Sequence, residues 1–251
     1  MIRQMLPGKK TMQPDNIRIF IAAVFILLSG TCQSHGRQTV SEPDTIMAPP
    51  FLAHSSRFMM ALFHLKAEKV NKLLPEGIVA IENKDGMVTA TFEMYETDRI
   101  YGLPNYKVAF IVVDVSGHNS RDDTPGHFAV WGNTDSKAAS EYFYSHFGLP
   151  FSYTEHMTLK TDGKKYTGTI GLQGEEKIRI GLEILPGQPF SGSGIVNMVG
   201  KTEDGIIAIS EVLWLSNGYN GYLQTFDVDP QGRSCSGINE RCCSFLDDDK
   251  H

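Results

Sequence analysis

What this chain lacks narrows its chemistry first. It has no GxSxG elbow, no HExxH helix, no Walker A loop and no GxGxxG turn. Each of these carries a recognisable chemistry, so elbow-type serine hydrolysis, zincin proteolysis, P-loop nucleotide hydrolysis and Rossmann-type cofactor binding lose their sequence basis. Lys and Arg form no run, and the net charge is −6. A chain that must track a phosphate backbone needs a basic stripe, so nucleic acid is excluded as the expected partner. No apolar stretch reaches the ~20 residues that span a bilayer. Cysteine is scarce: Cys32, Cys235, Cys242 and Cys243 are the four, and none has metal-ligand spacing. The last three crowd the tail, where a bridge from Cys235 to Cys242 or Cys243 closes a short loop and leaves an odd thiol.

What is present begins with the N-terminus. Ile19 to Leu28 is unbroken apolar sequence preceded by Lys9, Lys10 and Arg18. Its length and flanks are those of a signal-peptide core. Leu28-Ser29-Gly30-Thr31-Cys32 resembles a bacterial lipoprotein box, with Thr31 where Gly or Ala is usual. The expectation is an exported protein, periplasmic or anchored through lipid on Cys32, with plain secretion as the alternative; any membrane contact is through that lipid alone. Residues 1–32 are then targeting sequence, 33–50 a polar, proline-containing tether, 51–228 one domain and 229–251 a cysteine-containing tail. Somewhat over 200 residues are enough for one sizeable core.

The domain reads mostly as strands. Met87 to Tyr95 alternates, with Val88, Ala90, Phe92 and Met94 on one face and Thr89, Thr91 and Glu93 on the other. Tyr106 to Val115 is apolar on both faces. Arg57 to Leu65, His127 to Trp131, Glu155 to Thr161, Tyr166 to Leu172, Lys177 to Ile184, Gly194 to Val199 and Ile206 to Leu215 complete the strand set. Ala67 to Leu74 has helical spacing and stops at Pro75. Asp135 to Phe147 is the best helix, with Ala138, Tyr142 and Ser145 along one face and Gly148 and Pro150 ending it. Strands in runs, with so few helices, predict a mainly β (α+β) domain whose antiparallel sheet closes or nearly closes.

Few residues advertise chemistry. His118 and His127 flank a loop with Asp122 and Asp123, a pattern that polar hairpin loops carry routinely, so no metal and no cofactor is expected. Glu93 is the more informative acid. On a sheet packed on one side only, its face is solvent; in a barrel, that face is the lumen, where desolvation raises a carboxyl pKa into the range useful for proton transfer. Alternation alone does not choose between the two.

Several words, in order, resemble the acetoacetate decarboxylase family. Leu73-Leu74-Pro75-Glu76-Gly77 is similar to the step after the first strand and helix. Thr91-Phe92-Glu93 is similar to the strand bearing an active-site glutamate, and Tyr106-Lys107-Val108 to the opening of the next strand. Asp135 to Ser152 looks like the signature region, and Gly221-Tyr222-Leu223-Gln224 resembles the last barrel strand. The likeness runs from about Ser56 to Phe226. It implies a cone-like antiparallel β-barrel with two or three outer helices, a homo-oligomer, and a small-molecule ligand or substrate.

The chemistry that the resemblance implies is a lumenal lysine that condenses with a β-keto acid, the imine serving as electron sink. This chain departs from it. Phe151 stands at the nucleophile position, Ser152 at the neighbouring lysine and Val108 at one of two glutamates; Glu93 retains the other. Arg57 is the candidate for the family's carboxylate-anchoring arginine, and Tyr106 lines the same expected site. A phenyl ring forms no imine. The expectation is therefore a barrel that binds, and converts if at all by Glu93 acid–base chemistry, a small oxo-acid or related molecule. The alternatives are a non-catalytic exported ligand-binding lipoprotein, a decarboxylase using Lys107 or Lys160 instead, and a lumen plugged by side chains.

Overall fold

The computed structural model describes residues 19–23, 52–172 and 175–228. Cys32, the tether and the tail cysteines lie outside them. In chain order the elements are β1 (Ile19–Ala23), β2 (Ala53–His54), β3 (Arg57–Lys66), α1 (Ala67–Asn71), β4 (Met87–Glu96), β5 (Arg99–Ile100), β6 (Lys107–Val115) and β7 (Gly126–Thr134). They continue with α2 (Lys137–Phe147), β8 (Phe151–Tyr153), β9 (His156–Asp162), β10 (Lys165–Leu172), β11 (Glu175–Ile184), β12 (Phe190–Lys201) and β13 (Ile207–Val228). The protein is mainly β, as the run of alternating segments implies.

One large sheet holds most of the strands, in the order β1-β3-β4-β6-β7-β12-β13-β11-β10-β9, and β8 pairs with β7. The sheet is mixed rather than purely antiparallel, because β7 pairs in parallel with both β12 and β8. Those two parallel contacts are needed where α2 and the β12–β13 arm return to β7, a long-range event that strand periodicity does not encode. β1, from the apolar run read above as a signal-peptide core, pairs with both β3 and β13.

β6 and β7 are largely buried on both faces, whereas β3 and β4 are buried chiefly on one. On the first face Met59, Ala61, Phe92, Met94, Ile111 and Trp131 pack against Met157, Leu159, Ile170 and Ile180 of the β9-β10-β11 layer. On the second face Val108, Phe110, Val112 and Ala129 meet α2 and Phe151. Apolar burial of this kind contributes about 25 cal/mol per Å². It explains why Tyr106 to Val115 carries apolar side chains at nearly every position: β6 has a core on each side.

Helix α2 positions the start of β8. Ser136 caps it, its hydroxyl accepting from the Ala139 amide at 3.2 Å. Gly148 ends it in the left-handed region at φ 62°, against the backbone of Lys201, where a Cβ would collide. The buried side of α2 is Ala139 and Tyr142. Ser145, expected on that side, is exposed and Ala138 is only half-buried; the packing stripe is offset by one residue from the spacing chosen by sequence alone.

Candidate functional site

Register decides which side chains meet. Glu93 pairs with Met60 on β3 and with Phe110 on β6. Strand alternation therefore places Glu93, Met60, Tyr95 and Phe110 on the second face, together with Val108. Phe151, the position at which the resemblance implies a nucleophile, is delivered to this face by β8. Its ring stacks on Phe110 at 5.4 Å between centroids and tilts against Phe143 at 5.0 Å. It lies directly over Gly132, its partner in β7, where any Cβ would run into the ring. A glycine there is a steric requirement for the stack.

The wall continues through Tyr95, which meets Phe110 edge-on at 6.2 Å, and Tyr106, which meets Phe143 edge-on at 5.6 Å. Tyr95 and Tyr106 share a hydroxyl hydrogen bond, and burial pushes the Tyr95 phenol up to about 12 and that of Tyr106 well above its usual value. Both are neutral hydrogen-bonding groups at any physiological pH.

Glu93 is the acid of this face. It has no hydrogen bond or ion pair with a described residue. Desolvation by its apolar surroundings pushes its carboxyl up to about 7, and the field of His127 pulls weakly the other way. The alternation that suggested either solvent or lumen has an intermediate outcome: Glu93 is half-buried, bordered by Met60, Tyr95 and Phe110. His127 is tied to Asp114 opposite it, with Nε2 3.2 Å from Oδ1. Sequence reading took His127 as a loop flank and passed over Asp114. The signal available was a lone acid near the end of an apolar strand, followed by a hairpin that returns a histidine opposite it.

The other candidates are placed as follows. Tyr106 and Val108 belong to the aromatic cluster. Ser152 lies beside Phe151 in β8 and its carbonyl accepts from Asn133 Nδ2 at 3.2 Å. Arg57 does not join them. Its strand partner is Glu96, so it projects from the first face, opposite to Glu93. There Nη2 pairs with Glu96 Oε2 at 2.8 Å and Nη1 donates to the Leu159 carbonyl at 3.1 Å. The expectation that Arg57 lines the same site as Glu93 fails by strand parity. Lys107 also starts on the first face, and its ammonium is held by Asp135 at 2.9 Å. Lys160 is exposed. Neither stands beside Glu93. In the loop after β6, Asp122 is engaged by Ser120 at 2.5 Å, and among the described residues no group of three or more His, Cys, Asp or Glu could hold a metal.

Fold and site together define a mainly β protein that sets a half-buried protonatable carboxyl beside a cluster of aromatic rings. No protein-family model matches the sequence, and no curated protein matches it. Among solved structures, the chain is similar to acetoacetate decarboxylase from Legionella pneumophila, at 13% identity over 78% of this chain and 92% of that one, with a TM-score of 0.47. It is similar to an acetoacetate decarboxylase-like enzyme from Sphingomonas wittichii at 13% identity, 65% and 88% coverage and a TM-score of 0.39. It is also similar to the enduracididine biosynthesis enzyme MppR complexed with pyruvate, at 10% identity, 74% and 93% coverage and a TM-score of 0.40. The likeness is one of layout; the chemistry rests on this chain's own residues.

Proposed function

We propose that this protein binds a small oxo-acid or related carbonyl compound against the Phe110–Phe151 wall, with Glu93 as its acid–base group and without an imine. The observation that carries the reading is Glu93 itself: a half-buried carboxyl with no described partner, set among Met60, Tyr95 and Phe110. A neutral carboxyl there donates a hydrogen bond to a carbonyl oxygen. Once ionised, it accepts the proton next to that carbonyl. Both halves of an enolisation are within reach of one group whose pKa lies near neutrality. Carbonyl capture through nitrogen lacks an agent: Phe151 stands at the expected position, Lys107 is engaged by Asp135 and Lys160 faces solvent. In this reading the sheet curls into a cone-like barrel, with β1 joining β3 to β13.

The test uses pyruvate and acetoacetate as probes. We expect saturable binding by ligand-observed NMR, and an unchanged protein mass after incubation with either compound and borohydride. Binding should weaken as pH rises through Glu93's ionisation, and Glu93→Gln should remove that pH dependence. A reduced adduct on any lysine defeats the proposal.

A non-catalytic role is favoured by one further observation. The Phe151–Phe110 stack is apolar and buried, and the arginine that would anchor a carboxylate is on the other face. Binding without exchange of the α-proton into deuterated water would decide for that alternative. We further infer export, from the basic and apolar pattern before Cys32. Removal of that leader would take β1 with it and uncover one edge each of β3 and β13.

A further inference from the structure

We propose, resting on Glu93 as the acid–base group, that the Tyr95 hydroxyl is a second catalytic group of the same site. It donates a hydrogen bond to the carbonyl or enolate oxygen of the bound molecule, and so divides the work of the site between two residues.

Strand alternation brings the two together. Glu93 and Tyr95 are two residues apart in β4, so their side chains leave the same face about 7 Å apart at the backbone. Register places Met60 and Phe110 beside Glu93, and Phe58 and Val108 beside Tyr95. The Tyr95 ring is held on three sides. It stacks on Phe58 at 6.1 Å, meets Phe110 edge-on at 6.2 Å and tilts against Tyr106 at 6.3 Å. A ring packed in this way carries its hydroxyl in a fixed place, as stabilisation of developing charge requires.

One donor is left over in this cluster. A phenol has one O–H and two acceptor lone pairs. The Tyr95–Tyr106 pair therefore holds two protons, and the bond between its hydroxyls uses one. Beyond burial, which dominates both shifts, that bond lowers the Tyr95 phenol and raises that of Tyr106, so Tyr106 donates and Tyr95 accepts. The spare proton is the one on Tyr95. Glu93 does not take it: the carboxyl acts on Tyr95 through charge alone and has no hydrogen bond with a described residue. A donor and an acid, both half-buried and not bonded to each other, thus share one face. A carbonyl compound satisfies both, with an oxygen for Tyr95 and an adjacent C–H for Glu93. Because burial pushes the Tyr95 phenol up to about 12, it gives a hydrogen bond and keeps its proton. The bond from Tyr106 polarises it further as a donor.

In the forward step the Glu93 carboxylate takes a proton from the carbon next to the carbonyl. The C–H electron pair forms the C=C bond, and the carbonyl pair moves onto the oxygen, which Tyr95 holds as an enolate. Return of the proton from Glu93 to carbon restores the ketone, and nothing is oxidised or reduced.

The probe is pyruvate labelled with carbon-13 at its carbonyl, observed by NMR at saturating ligand and pH 8, where Glu93 has released its proton and Tyr95 is the remaining donor. We expect the bound carbonyl signal of the wild type to move downfield. Tyr95→Phe should lose that move while still binding pyruvate, and Tyr106→Phe should keep most of it. Exchange of the methyl protons into deuterated water should slow at least ~100-fold in Tyr95→Phe, with the thermal transition kept, since the ring and its packing remain. An unmoved signal in the bound wild type overturns the assignment, as does a move that survives Tyr95→Phe. Equal loss in Tyr106→Phe also overturns it, because the hydroxyl pair is then a structural unit. Binding without exchange in the wild type removes the catalytic role. Absence of pyruvate binding by the wild type defeats the reading of the Glu93 site itself, and this proposal with it.

Discussion

Glu93 holds its proton to about pH 7, whereas the unfolded chain's glutamates titrate near 4.5. Between those values the folded state carries the extra proton, so stability falls as pH rises through that window. The full shift corresponds to about 3 kcal/mol. Because the side chain keeps some solvent contact, we expect a smaller loss, on the order of 2 kcal/mol. Urea denaturation at pH 5 and pH 8 measures it, and Glu93→Gln should abolish that component. Nearby, Phe151→Ala removes a buried ring stacked on Phe110 and should cost about 3 kcal/mol. Gly132→Ala should also destabilise, since its methyl and the Phe151 ring claim one space. The pair should be non-additive: in the Phe151→Ala background the Gly132 substitution loses most of its penalty.

Helix α2 is the element on which the site depends, because it ends where β8 begins. Ser136→Ala should cost about 1 kcal/mol through loss of the cap to Ala139. Gly148→Ala should cost more, since φ 62° disfavours a side chain and Lys201's backbone fills the space. Thermal melts of the two variants rank these effects. At this scale the sequence was informative in part. Helix signals placed α2 well, with Asp135 to Phe147 expected and Lys137–Phe147 found. β13 was read as Ile206 to Leu215, yet it runs to Val228. Asn217, Gly218, Asn220 and Gly221 look like turn residues locally. They stay extended because β12, β1 and β11 pair with them, which no local signal reports.

For the whole molecule, the expectation is an exported chain. If Cys32 is the lipid attachment point, the mature protein partitions into detergent and Cys32→Ser abolishes that partition; intact mass of envelope-purified protein reads both outcomes. Barrel closure belongs to this scale as well. β1 meets β3 at two positions, Ile19 and Phe20, and β13 at five, so loss of residues 1–32 should leave the β3 side little changed and loosen amide protection mainly at Asn217–Gly221. Hydrogen exchange on full-length and truncated chains compares the two.

The sequence alone determined the strand-rich class and the alternation that puts Glu93 across from Phe92 and Met94. These are properties of residue type and of the two-residue period of a strand. Tertiary structure decided what each face meets. A shift of one residue in strand pairing exchanges the faces, and that register is set by contacts between residues far apart in the chain. For that reason the resemblance could place Arg57 in one site with Glu93, and only the β3–β4 register shows it facing the opposite layer.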